Sequence, residues 1–188
     1  MDRTMYQVDA ASGLLTGARQ VPSPHCDERP HDAGIDLLVI HGISLPPGQF
    51  GGNWIEDFFL GRLPADVHPY FTTIAAQRVS AHLLIRRGGE VVQFVPFQQR
   101  AWHAGASVFE GRAACNDFSI GIELEGCDDI LYEDAQYTAL EAVIHALTHA
   151  YPAITPLRMV SHSEIAPGRK TDPGPAFDWR RLHSALAK

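Results

Sequence analysis

Residues 161–179, SHSEIAPGRKTDPGPAFDW, put a histidine, a lysine and an aspartate into one short loop rich in proline and glycine. His162 and Asp172 are both zinc-ligand types, and Lys170 stands two residues before Asp172, so both can face one site in an extended segment. A third ligand can come from His41, which closes the apolar run DLLVIH at residues 36–41, where a rigid strand would end in a cleft. Two imidazoles and one carboxylate leave a fourth tetrahedral position for water, the pattern of a catalytic Zn2+ centre, where the water's pKa drops to about 7. Glu123 can take a proton from that water and hand it to a leaving amine. The Lys170 ammonium can stabilise the oxyanion of a tetrahedral intermediate. Each residue also has a plainer reading. His41 could bond a backbone carbonyl, Asp172 could make an Asx turn before Pro173, Glu123 could be a solvated cross-strand partner, and Lys170 a surface charge. His145 and His149, four apart, share a helix face but lack the glutamate of an HExxH motif and read as solvated. His82 and His103 read as structural hydrogen-bonding histidines.

The elements that would position these residues follow from periodicity. The run at residues 36–41 is a buried strand. Residues 53–60 form a short helix, with Asn53 as N-cap and Gly61 as stop. Residues 77–97 read as a hairpin turning at Gly88-Gly89 through a two-residue loop. In FSIGIELE, residues 118–125, Phe118, Ile120, Ile122 and Leu124 share the core face, leaving Ser119, Gly121, Glu123 and Glu125 on the other. Residues 133–151 form the longest helix, with Tyr137, Leu140, Ile144, Leu147 and Tyr151 in one stripe and Pro152 as its stop. Residues 157–161 form a weak strand leading into the loop, and Asp178 caps a last short helix with Trp179 and Leu182 facing inward. Strands mixed with helices and a hairpin point to a mixed α/β fold, a central mixed sheet flanked by helices.

The bulk numbers set limits. A chain of 188 residues with 45% hydrophobic and 20% charged residues suits one domain spanning residues 1–188. A formal net charge of -7 with no basic stripe argues against nucleic acid as partner. No stretch is long enough to span a bilayer, and the N-terminal segment lacks an apolar signal core, so a cytoplasmic protein is expected. Cys26, Cys115 and Cys127 are odd in number and form no Cys-x-x-Cys pair, which fits reduced thiols.

Segments in order along the chain carry a resemblance: VPSPHCDERP, HGISLPPGQFGG, HPYF, RVSAHLLIRRGGE, VPFQQRAWHAG, CNDFSIGIELEG, DAQY and IAPGRKTDPGPAFDW. From Gly13 to Trp179 the sequence resembles the cytosolic N-acetyl-anhydromuramyl-L-alanine amidases of the AmpD type, zinc hydrolases of peptidoglycan recycling. The resemblance implies zinc on His41, His162 and Asp172, catalysis by Glu123 and Lys170, and the mixed sheet shared with peptidoglycan-recognition proteins. It implies an anhydro-muropeptide substrate cut between anhydro-muramic acid and L-alanine, with an indirect influence on β-lactamase induction. Arg78 and Arg112 become candidates to grip the peptide carboxylates, and Tyr70 and Trp102 to stack on the sugar and line the cleft. Two departures bear on selectivity. Gly42 stands where relatives often carry Asn, and the 112–115 segment keeps a single arginine with Ala114 beside it. Three rival activities stay open: an envelope amidase acting on intact glycan strands, a recognition module without catalysis, and zinc-dependent hydrolysis of another amide.

Overall fold

The computed structural model describes residues 6–186. Its main sheet has six strands: β1 (Arg19–Gln20), β2 (Leu37–Ile43), β3 (Leu83–Ile85), β4 (Val91–Gln93), β5 (Ser119–Glu125) and β6 (Met159–Ser161). Their order across the sheet is β6-β2-β5-β3-β4-β1. The first four run parallel, β4 is antiparallel to β3, and β1 is parallel to β4. Parallel strands need crossover connections, so both faces of β2 and β5 are covered, and all seven residues of β5 are buried.

One face carries the helix α3 (Asp134–Ala150). Its stripe of Tyr137, Leu140, Ile144 and Leu147 packs in one cluster with Leu38 and Ile40 of β2 and with Ile120, Ile122 and Leu124 of β5. Each such buried aliphatic side chain contributes about 1.5–3 kcal/mol by leaving water. Gln136, fully buried, fixes the helix to the sheet: its Oε1 accepts from Glu133 N at 3.0 Å, and its Nε2 donates to the carbonyls of Ile85 and Glu125 at 3.2 and 3.0 Å.

The other face is covered in two separate patches. The helices α1 (Trp54–Phe59) and α2 (Pro69–Ile74) pack Phe58, Phe59, Phe71 and Ile74 against Leu84, Val92 and Phe94. Further along the sheet, Ala104, Cys115, Phe118 and Ile165 cover Leu37, Val39 and Val160; Phe118, expected on the face of Ile120, lies on this side because it ends the 3-10 turn at 115–117 and precedes the strand. Ser119, Gly121 and Glu123 belong to neither apolar cluster.

Several boundaries differ from expectation. Strand β2 continues two residues past His41, to Ile43, because it keeps pairing with β5 as far as Glu125. The hairpin strands shorten to residues 83–85 and 91–93. Their loop is three residues, with Arg86 N bonded to Glu90 O, Gly89 N to Arg86 O, and Gly89 at φ 85°, a left-handed position that suits glycine. Strand β6 begins only at Met159, since residues 156–158 form a 3-10 turn. At the C-terminal end, Asp178 Oδ1 accepts from Arg181 N at 3.0 Å, capping α5 (Trp179–Leu186), whose Leu182 is fully buried.

An ion network ties α1 to the sheet. Glu56 of α1 accepts from Arg19 (2.7 Å) and Arg86 (2.6 Å), while Glu125 of β5 accepts from Gly51 N (2.6 Å) and Arg87 N (3.1 Å). The Arg19 bond, and then that of Arg86, outweigh burial and hold the Glu56 carboxyl below its usual range. A depressed carboxylate stabilises the fold above the unfolded glutamate value, ~4.3, and that contribution is lost as pH falls further. Glu56→Ala should cost about 3 kcal/mol, since Arg86 keeps only a 3.5 Å partner in Glu125. Urea denaturation at pH 7 checks this, and the wild-type advantage over the variant should shrink as pH is lowered below that value.

Candidate active site

Three neighbouring parallel strands deliver the site at their C-terminal ends. The register pairs His41 of β2 with Glu123 of β5, and Ile40 of β2 with Ser161 of β6. His162 follows Ser161 directly and opens the short helix α4 (His162–Ile165). Ser161 caps that helix: its Oγ accepts from Glu164 N at 3.0 Å, and its N donates to Glu164 Oε2 at 2.7 Å. His162 therefore sits at a fixed first helical position beside His41.

The ligand-type atoms converge. His41 Nδ1 lies 3.0 Å from His162 Nδ1 and 3.2 Å from Asp172 Oδ2, and His162 Nδ1 lies 3.1 Å from the same oxygen. Four ligands at 2.0–2.1 Å around a tetrahedral ion are about 3.3 Å apart, so the three atoms are spaced almost as such an ion would hold them. His162 Nε2 donates to the Ala104 carbonyl at 3.2 Å, which leaves the Nδ1 lone pair facing the other two ligand atoms. Asp172 spends its side chain on the histidines, although the backbone does turn there, with Gly174 N bonded to Thr171 O.

Burial shapes the charges. It pushes His41 down to about 4 despite the neighbouring Asp172 carboxylate. Asp172 is also raised by burial, but its close contacts with the His162 and His41 rings outweigh this and hold it well below the usual carboxylate range. Burial first, and the Asp172 charge second, push Glu123 well above the ordinary glutamate value. Glu123 Oε2 is buried and has no hydrogen-bond partner among the described residues. Unpaired buried oxygens are rare enough to need an explanation, and a group held ready for a bound water or substrate supplies one.

A cleft of about 450 Å³ opens above these groups. Glu123, His162, Lys170, Asp172, Tyr70 and Trp102 all line it, while His41 lies beneath, 1% exposed. Lys170 is near enough for its charge to act on both His41 and Glu123. Tyr70 sits in the first turn of α2, where His68 Nδ1 accepts from its backbone N at 3.1 Å. Trp102 is held in place, its Nε1 donating to Asp27 Oδ1 at 3.0 Å and its ring stacked on His25. Arg100 in turn grips Asp27 through bonds of 2.7 and 2.6 Å.

Neither Arg78 nor Arg112 is itself among the residues lining the cleft. Arg78 is exposed and does not itself line the cleft, but it stands between Gln77 and Val79, which do. Arg112 pairs with Asp36 at 2.6 Å and stacks over the Phe118 ring at 3.7 Å. His145 and His149 are exposed on α3. Arg169 also lines the cleft, its Nη2 donating to the carbonyls of Ala104 (2.5 Å) and Ala106 (2.7 Å).

Two residues gain roles that the sequence did not assign. Asn116 Oδ1 accepts from both His103 N and Ala104 N, holding the backbone that meets His162. Tyr132, 6% exposed, donates its hydroxyl to the Pro173 carbonyl at 2.9 Å, next to Asp172. Two glycines separated from it in sequence make room for its side chain. A Cβ at Gly42 would come 2.3 Å from the Tyr132 hydroxyl, and one at Gly126 would come 2.3 Å from its ring.

Residues 31–175 match the Amidase_2 family, N-acetylmuramoyl-L-alanine amidase. The chain belongs to this family. Within it the chain is of the AmpD type. It is 60% identical over 176 residues to the 1,6-anhydro-N-acetylmuramyl-L-alanine amidase AmpD of Escherichia coli (strain K12), which spans 94% of this chain and 96% of that protein. The AmpD of Haemophilus influenzae is 53% identical over 178 residues, 95% of this chain and 97% of that one. Among solved structures, a Se-Met AmpD derivative superposes with a TM-score of 0.90 at 60% identity, covering 93% of this chain and 97% of that chain. The amidase AmiD of E. coli, solved with the substrate anhydro-N-acetylmuramic acid-L-Ala-D-gamma-Glu-L-Lys, superposes at 0.61 with 28% identity, over 97% of this chain and 66% of that one.

Tyr132→Phe should cost about 1 kcal/mol, the net worth of one lost hydrogen bond at a buried carbonyl. Urea denaturation of the metal-free protein checks it. An unchanged midpoint would mean that the hydroxyl does not hold the loop of Asp172.

Proposed function

We propose that this chain is a zinc-dependent amidase of the cytosol that hydrolyses the amide between 1,6-anhydro-N-acetylmuramic acid and L-alanine in muropeptides released during peptidoglycan recycling. The observation that carries the reading is the convergence of His41 Nδ1, His162 Nδ1 and Asp172 Oδ2 beside the unpaired Glu123 carboxyl, at the floor of one cleft. The family membership supports the bond that is cut. The substrate follows from the names of the AmpD relatives and from the anhydromuramyl peptides bound to AmiD and to AmpDh3 of Pseudomonas aeruginosa. The cytosolic location rests on the likeness to AmpD-type enzymes alone. No helix among the described residues is long and apolar enough to cross a membrane.

His41, His162 and Asp172 would hold the ion. The donor set fits zinc, two neutral imidazoles and a carboxylate with one position left open. When bound there, zinc supplies Lewis acidity, polarising a carbonyl and acidifying water at neutral pH. Glu123 acts as general base on the attacking water. The water oxygen bonds to the lactyl carbonyl carbon, the C–N bond breaks, and the proton held on Glu123 passes to the leaving amine of L-alanine. Lys170 offers its ammonium to the carbonyl oxygen where negative charge develops. Tyr70 and Trp102 supply aromatic walls for the sugar. Arg78, at the rim between Gln77 and Val79, can reach a peptide carboxylate, whereas Arg112 would first have to leave Asp36. One domain carries the whole reaction. By consuming muropeptides it would bear indirectly on β-lactamase induction.

Purified protein incubated with anhydro-muropeptide should release the anhydro sugar and a free peptide beginning with L-alanine, followed by liquid chromatography and mass spectrometry. Chelation should abolish turnover. Glu123→Ala should lower kcat about 10²–10⁴-fold, the usual contribution of a general base. Turnover that survives both treatments contradicts the mechanism. Equal rates on intact sacculi would contradict the substrate assignment.

A further inference from the structure

The second imidazole nitrogen of His41 does not meet a carbonyl, as that of His162 does. It lies 2.9 Å from Nδ1 of His103, a residue 62 positions away. His103 Nε2 lies 3.1 Å from Ser119 Oγ, and Ser119 Oγ lies 2.6 Å from the Cys115 carbonyl. The proton on every bond of this chain can be assigned. A carbonyl oxygen only accepts, so the Ser119 hydroxyl donates to Cys115. Its lone pair must then accept, so His103 carries its proton on Nε2. A neutral His103 therefore presents a lone pair at Nδ1, and His41 donates to it from Nε2. The Nδ1 of His41 is left unprotonated and faces His162 and Asp172. Reversing any one bond would put a proton on His41 Nδ1, at the point where the three ligand atoms meet.

The fold makes room for this arrangement at some cost in sequence freedom. A Cβ at Gly121 would sit 2.5 Å from His103 Cγ, so the ring lies flat against β5 only because residue 121 is glycine. Ser119, Gly121 and Glu123 follow one another on the same face of that strand. They accept from His103, admit its ring and reach the cleft, respectively. All the groups involved are buried: Ser119 and Cys115 fully, His41 to 1% and His103 to 9%.

We infer that His103 is a positioning residue, fixing the tautomer and ring orientation of His41 through the Cys115–Ser119–His103–His41 chain so that the Nδ1 lone pair is ready for a metal. This rests on the reading of His41, His162 and Asp172 as a zinc site. The test has two parts. In the first, ¹⁵N imidazole spectra of the wild-type protein should show His103 protonated at Nε2 and bare at Nδ1, and His41 protonated at Nε2. The opposite tautomer at His103 overturns the inference without any variant having to fold. In the second, zinc affinity is measured by competition with a chromophoric chelator on protein whose fold is checked by circular dichroism. His103→Leu should weaken zinc about 10–100-fold, the usual effect of losing such a partner. His103→Asn, which returns an acceptor oxygen close to the Nδ1 position, should recover most of the loss. If wild type binds zinc and His103→Leu binds it equally well, the inference fails while the zinc site stands. It fails likewise if His103→Asn is as weak as His103→Leu, since ring packing would then be the cause. If wild type binds no zinc, the metal reading fails and takes this inference with it.

Discussion

Two imidazole nitrogens and a carboxylate oxygen held 3.0–3.2 Å apart in a buried position are a demanding arrangement. Their lone pairs repel unless protons or a cation lie between them. Their surroundings supply no competing partners, because the outer nitrogens of both rings are already committed, one to Ala104 and one to His103. Everything around the site serves this convergence. The parallel register brings His41 beside Glu123 and Ser161 beside Ile40. The capped first turn of α4 aims His162, and the turn at 171–174, tied down by Tyr132, aims Asp172.

The sheet makes the site possible by leaving one face incompletely covered. On the α3 side the apolar contact is continuous. On the other side two apolar patches stop short of each other, and Ser119, Gly121 and Glu123 of β5 occupy the gap. A central strand buried on both faces can carry polar groups only where they find partners or a cleft. Ser119 finds His103, Glu125 finds the backbone of Gly51 and Arg87, and Glu123 reaches the cleft with one oxygen unpaired. The last is the exception expected of a reacting group.

Much of this was legible in the sequence because the signals are local. The alternation in FSIGIELE assigns Glu123 to its face, the stripe on α3 assigns its packing side, and the density of proline and glycine in 161–179 marks a constrained loop. What was not legible depends on contacts between distant segments. The continuation of β2 past His41 comes from pairing with β5. The three-residue loop at 87–89 comes from the twist of a short hairpin, which two adjacent glycines alone did not specify. His103 reads as one more structural histidine until the fold lays it on Gly121. Arg78 and Arg112 were raised for their charge; the fold leaves one exposed at the cleft rim and pairs the other with Asp36.

The central claim is that three side chains from separate segments hold one zinc ion. Anomalous diffraction from crystals of the zinc-loaded protein, recorded on both sides of the zinc edge, tests it directly. The account predicts a single peak lying about 2.0–2.1 Å from His41 Nδ1, His162 Nδ1 and Asp172 Oδ2 together. A peak bound elsewhere, or none among these three atoms, would contradict it.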